Sequence, residues 1–149
     1  MATIRLTKVF TYAMAHALDS YDGLCKNIHG HTYHLEVTVV GNPVSDSFSP
    51  KKGMLIDFTD LKRLINTEIV DVWDHALMLN ETTNPDLIAL LKESYERIII
   101  VPFQPTTENM LCYLSEKIIS ILPKEVHLYS LKLKETENSY AEWYASDNV

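Results

Sequence analysis

His31-Thr32-Tyr33-His34-Leu35-Glu36-Val37-Thr38-Val39 decides the architecture of this chain. Leu35, Val37 and Val39 alternate with Glu36 and Thr38, the two-residue period of a strand with one face in a core and one in water. Upstream, Ile4, Leu6 and, less regularly, Phe10 alternate with polar residues and predict a first strand. Downstream, the Ser-, Pro- and Gly-rich stretch from Gly41 to Gly53 (GNPVSDSFSPKKG) reads as a long hairpin loop, not a domain boundary.

Beyond that loop the period changes. Phe58, Leu61, Leu64, Ile65 and Ile69 recur at helical spacing, with Asp57 or Thr59 as the cap. Asn84-Pro85-Asp86 predicts a capped helix with proline at its first position, running to about Lys92. Arg97 to Val101 is a brief apolar strand. A helix from near Thr106 carries Met110, Leu111, Leu114, Ile118 and Ile121 on one face and stops at Pro123. Val126 to Glu135 and Ser139 to Ala145 form a strand pair turning at Glu137-Asn138. Two strands, then helices, then two strands predict one α+β domain over residues 1–149, antiparallel sheet on one side and helices on the other.

Composition narrows the function. With 149 residues, 46% hydrophobic and 22% charged, the chain reads as an ordinary globular protein able to bury a core. No stretch approaches the ~20 apolar residues of a membrane span. Arg5 and Lys8 interrupt the place where a secretory peptide has its apolar run, so the expected compartment is the cytoplasm. A net charge of −7 argues against a broad nucleic-acid surface but leaves room for a locally positive pocket. A disulfide between Cys25 and Cys112 is not expected in that compartment.

The densest chemistry is Cys25-Lys26-Asn27-Ile28-His29-Gly30-His31. Residues two apart on a strand share a face, so His29 and His31 can aim both imidazoles at one point. A zinc site that performs chemistry commonly has three protein ligands, and His16 is the natural third if the first two strands pair as a hairpin. The competing reading is a polar strand start with a hydrogen-bonded His16, since His-x-His pairs also arise by chance. Imidazoles alone suit zinc best, with iron or copper as alternatives. His34 points to the opposite face and His127 sits on another strand; both read as structural or surface residues.

Cys25 lies four residues before His29, in a loop that would hang over such a metal, and a thiol there can act as a base. A small buried hydrophobe is the alternative. Cys112 reads as a packing residue of the last helix. Asp74-His75 is a weak signal for a proton relay. Glu135 ends an apolar row with Leu131 and Leu133, either buried with partners or already solvated. Lys26, Lys51 and Lys52 are anion-binding candidates by charge only.

Six segments in this order, AHAL around His16, CKNIHGHTY from Cys25, GMLIDFTDLK from Gly53, WDHALMLN around His75, PTTEN from Pro105 and LKETENSYAEWY from Leu131, resemble the 6-pyruvoyl-tetrahydropterin synthase family. The likeness is closer to its bacterial branch, the 6-carboxy-tetrahydropterin synthases of queuosine biosynthesis, in the three residues between Cys25 and His29 and in Asp57-Phe58. The resemblance implies a T-fold (tunnelling fold) subunit, a four-stranded antiparallel sheet with helices on one face. It implies a homohexamer of two trimers with active sites at subunit interfaces. It further implies one zinc per subunit on His16, His29 and His31, Cys25 as proton acceptor, Asp74 and His75 as a relay, and Glu135 as anchor of the pterin ring. The implied reaction takes 7,8-dihydroneopterin triphosphate, expels triphosphate and, in the carboxy branch, acetaldehyde. A pyruvoyl product, or a non-catalytic zinc- or pterin-binding module, are the alternatives. Ala13-Met14 stands where many members read Glu-Ala, and the Gly41–Gly53 loop is longer than in the shortest members.

Overall fold

Two long strands frame the molecule. In the computed structural model, which describes residues 2–149, β1 (Ile4–His16) and β2 (His29–Gly41) run antiparallel from Ile4 opposite Gly41 to His16 opposite His29. His16, expected just after the first strand, is therefore its last residue. β2 pairs antiparallel with β5 (His127–Thr136), and β5 with β6 (Ser139–Tyr144) across the predicted Glu137-Asn138 turn.

The sheet does not stop at these four strands. β3 (Ala76–Asn80) lies parallel to the end of β1, and β4 (Ile98–Val101) parallel to β3, giving six strands in the order β4-β3-β1-β2-β5-β6. The expected four-stranded antiparallel sheet is thus a mixed six-stranded one. Ala76, Met78 and Leu79 are buried and Leu77 is half-buried, so β3 is covered on both sides and shows no alternation. A short apolar run of that kind has no period that separates strand from buried helix. Parallel pairing needs a crossover, supplied by α3 (Pro85–Ser94), whose Asn84 side chain accepts the Asp86 N–H at 2.9 Å.

Helices cover one face. Asp57, not Thr59, caps α1 (Phe58–Ile65), accepting the Thr59 N–H at 2.8 Å. A π-helical turn, Asn66–Val70, continues it into α2 (Asp71–Trp73). α4 (Thr107–Ile121) starts at the Thr106 cap and ends before Pro123. Leu61, Ile65, Ile69 and Trp73 from the first helical run and Met110, Leu114 and Ile118 from α4 pack on Phe10, Tyr12, Met14, Leu35, Val37, Leu131 and Leu133. Each such side chain contributes about 1.5–3 kcal/mol by leaving water. Cys112 is not part of this packing: it lies off the buried stripe and is exposed. On the opposite face of β1, Thr7, Thr11 and Ala13 are exposed.

The Gly41–Gly53 loop returns to α1 instead of to a partner strand. It closes on itself, with Gly53 N–H donating to the Val44 carbonyl and Val44 N–H to the Met54 carbonyl, both at 2.9 Å. Gly53 takes φ +82, where a side chain would be strained.

Candidate functional site

The strand register builds a corner of three histidines. His16 and His29 are direct cross-strand partners, and His31, paired with Met14, follows two residues later on the same helix-covered face. His16 is 2% exposed. Its Nδ1 lies 2.7 Å from the Pro105 carbonyl, and His29 Nδ1 lies 2.7 Å from the Asn27 carbonyl. A carbonyl only accepts, so both Nδ1 atoms donate, and in the neutral rings both Nε2 atoms carry lone pairs. Those Nε2 atoms stand 3.0 Å apart. Two lone pairs at that distance repel unless a cation or a proton sits between them.

His31 Nε2 is buried with no hydrogen-bond partner among the described residues. Glu135 Oε1 lies 3.4 Å away, within ion-pair reach but not aligned as a hydrogen bond. The three ligand nitrogens lie within 4.8 Å of one another. Nitrogens around a tetrahedral zinc stand about 3.3 Å apart at the usual Zn–N length. The orphaned nitrogen and the facing lone pairs fit a divalent ion held by three neutral imidazoles. Burial, the largest influence on both rings, holds His16 and His31 below the ordinary imidazole value of 6.5. The Pro105 carbonyl opposes this at His16, and the Glu135 carboxylate at His31. Tyr33, fully buried below His31 with ring centroids 5.6 Å apart, forms the aromatic floor.

Beside the corner opens a cavity of about 360 Å³ lined by His16, Cys25, Tyr21, Thr107, Glu108 and Glu135 among others. Cys25 sits in a short 3-10 turn (Leu24–Lys26) and is half-buried. Glu135 is neither fully buried nor solvated: its side chain is 25% exposed, and Oε2 accepts the Thr107 hydroxyl at 2.8 Å. No lysine lines this cavity among the described residues. Lys51 is engaged by Asp57 and Asp60, while Lys26 and Lys52 are exposed.

Asp74 and His75 stand elsewhere. His75 lines two other cavities, one with Ala13, Gly30, Thr32 and the edge of His31, the other with Ile28 and Arg97. Ala13 alternates with the buried Met14 on β1, so this is the open side of the sheet. The two residues form an elbow between α2 and β3, with His75 at φ +62, a conformation few non-glycine residues adopt. Ala13 N–H donates to Asp74 Oδ1 at 2.9 Å, His75 N–H to the Ala13 carbonyl at 2.6 Å, and His75 Nδ1 meets Asp74 Oδ2 at 2.9 Å. The Ala13 N–H holds the Asp74 carboxyl below its ordinary value, with burial opposing and His75 assisting.

Two supporting residues escaped sequence reading. Arg97 donates to the carbonyls of Asp71, Val72 and Asp74 at 2.5, 3.0 and 2.8 Å, closing the end of α2 and bracing the elbow. Gln104 bonds both backbone groups of Asp19. The only local hint for Arg97 is a cation at the mouth of an apolar run; for Gln104 there is none.

The 6-pyruvoyl tetrahydropterin synthase family model matches residues 5–146. The chain is 33% identical over 141 residues to a 6-carboxy-5,6,7,8-tetrahydropterin synthase of Haemophilus influenzae, covering 93% of this chain and 97% of that protein. It is 30% identical over 118 residues to a 6-pyruvoyl tetrahydrobiopterin synthase of Dictyostelium discoideum, covering 79% of this chain and 71% of that one. Its fold is similar to an uncharacterized protein from Wolinella succinogenes, with TM-score 0.78 at 22% identity over 97% of this chain and 99% of that one. It is also similar to the 6-pyruvoyl tetrahydropterin synthase of Caenorhabditis elegans, with TM-score 0.69 at 24% identity over 97% of both chains. Sequence and fold agree: the chain belongs to the 6-pyruvoyl tetrahydropterin synthase family.

Proposed function

We propose that this chain is a zinc-dependent 6-carboxy-5,6,7,8-tetrahydropterin synthase of the cytoplasm. It converts 7,8-dihydroneopterin triphosphate to 6-carboxytetrahydropterin, losing triphosphate and acetaldehyde, on the route to queuosine. The supporting observation is the single cavity in which His16, Cys25 and Glu135 meet beside three converging imidazoles. The relatives named as 6-carboxy-tetrahydropterin synthases, such as that of Haemophilus influenzae, favour the carboxy product.

His16, His29 and His31 hold the zinc, which when bound supplies a Lewis acid for the hydroxylated side chain of the substrate. Glu135 accepts the paired N–H groups of the pterin ring, and the Thr107 hydroxyl keeps its carboxylate oriented. Cys25 takes a proton as thiolate. His75, with Nδ1 turned to Asp74, keeps Nε2 free to pass protons.

Assembly as a homohexamer of two trimers belongs to the same proposal. Its support is that Cys25 and His75 of one chain line different cavities, which suits a relay to the thiol supplied by another copy. Incubating the zinc-loaded protein with 7,8-dihydroneopterin triphosphate and resolving the products tests the reading. No release of triphosphate overturns it; a pyruvoyl product without acetaldehyde transfers the chain to the other branch.

A further inference from the structure

The segment carrying Cys25 has no hydrophobic anchor. From Ala17 to Ile28 no residue is fully buried, and Ser20 takes φ +58, a strained conformation for a non-glycine residue. A loop with so little burial is ordered only by its hydrogen bonds. Its neck is one main-chain bond, Leu18 N–H to the Cys25 carbonyl at 2.9 Å.

Asp19, next to that neck, is gripped on three sides. Its N–H donates to Gln104 Oε1 at 3.1 Å, and its carbonyl accepts Gln104 Nε2 at 2.8 Å, a closed amide-to-peptide pair. Its carboxylate accepts the Thr82 hydroxyl at 2.7 Å. Asn80 Nδ2 also reaches Gln104 Oε1, at 3.4 Å, tying the pair to the end of β3.

Gln104 is itself fixed. Its carbonyl accepts Thr106 N–H at 2.8 Å and Asn109 Nδ2 at 3.0 Å, against the start of α4. The next residue, Pro105, presents the carbonyl that receives His16 Nδ1. Proline's ring leaves φ little freedom, so the two partners keep a constant spacing.

We propose that Gln104 is a positioning residue. Its amide clamps the Leu18–Cys25 loop to the same segment that orients His16, so thiol and metal-binding imidazoles keep one separation. The role given to Cys25 rests on the function proposed above; the clamp does not. In a reaction that needs the thiol beside the metal, a displacement of about 1 Å costs up to ~10²-fold in rate.

The test is Gln104→Met, which keeps side-chain length and loses both bonds, studied as the full metal-loaded chain. Amide exchange at Leu18, which does not touch Gln104, rises on the order of tenfold, while amides across the β1–β2 core keep their rates. On the proposed reaction kcat falls on the order of tenfold with KM within about twofold. Unchanged exchange at Leu18 overturns the clamp. If core amides speed up equally, Thr82→Val, which cuts only the outer tie on Asp19, decides: a rise confined to Leu18 sustains the proposal, and any other pattern removes it. The exchange measurement uses no substrate, so failure of the synthase reading leaves its outcome standing.

Discussion

His16, His29 and His31 rise from two strands locked together over their full length, and His16 is almost without solvent. His75 sits on a turn with a left-handed backbone, its side chain 77% exposed. At the first place ring direction follows from strand alternation, and two backbone carbonyls set the tautomers. At the second, nothing in the local pattern holds the ring: Asp74 meets it, and Ala13 of β1 and Arg97 of the loop before β4 hold Asp74 in turn. Regular structure preorganises a cluster of imidazoles at little expense; a ring on an exposed elbow, given the relay role only by the proposed function, is braced from outside.

The largest effect should separate the two regions. His29→Ala removes one of the three imidazoles proposed to hold zinc and leaves His16 Nε2 and His31 Nε2 without their neighbour. Zinc content falls from one per chain toward none, and turnover drops by more than the roughly 10²–10³-fold attached to one electrostatic contact. Metal analysis alongside exchange at the His75 amide checks that the elbow is untouched.

Cys25→Ala sharpens the comparison from the cavity side. Zinc is retained and turnover falls on the order of 10²–10³-fold, as for loss of a proton acceptor. Loss of metal in this variant would move Cys25 from acid–base chemistry to ligation.

Arg97→Ala tests the bracing. Three carbonyls lose their donor, so kcat falls about tenfold at full zinc, with His75 amide exchange accelerated. Added guanidinium restores part of the rate, since only the donor is missing.

The smallest effect is one of pH. The folded Asp74 carboxyl is held below its ordinary value of 3.8, so the folded chain binds fewer protons there than the unfolded one. Its contribution is complete above that value and is lost as pH falls through the lower folded value. NMR resonances of the Ala13 and His75 amides should stay native-like at 3.8 and shift only on further acidification; in Asp74→Asn this transition disappears.

The four antiparallel strands were readable because each has one face in the core and one in water. Leu35, Val37 and Val39 against Glu36 and Thr38 is a pattern that only such a strand requires. β3 was not readable, because apolar residues on both faces erase the alternation. Cys112 was misplaced for a related reason: the residues of α4 shift from stripe to surface within a third of a turn. For Glu135 the sequence left burial and solvation open, and the tertiary partners Thr107 and His31 put it between the two.

Residue order alone determined the α+β class and the shared face of His29 and His31, since both follow from period; it offered the hairpin that brings His16 to His29 only as a condition, which the strand register meets. Which side of the sheet His75 occupies, which carbonyls orient the imidazoles, and how Arg97 and Gln104 support the elbow and the Cys25 loop were decided only by the folded chain. Those contacts join Ala13 and Arg97 to Asp74, and Gln104 to Asp19, and no local period encodes a hydrogen bond between segments so far apart in sequence.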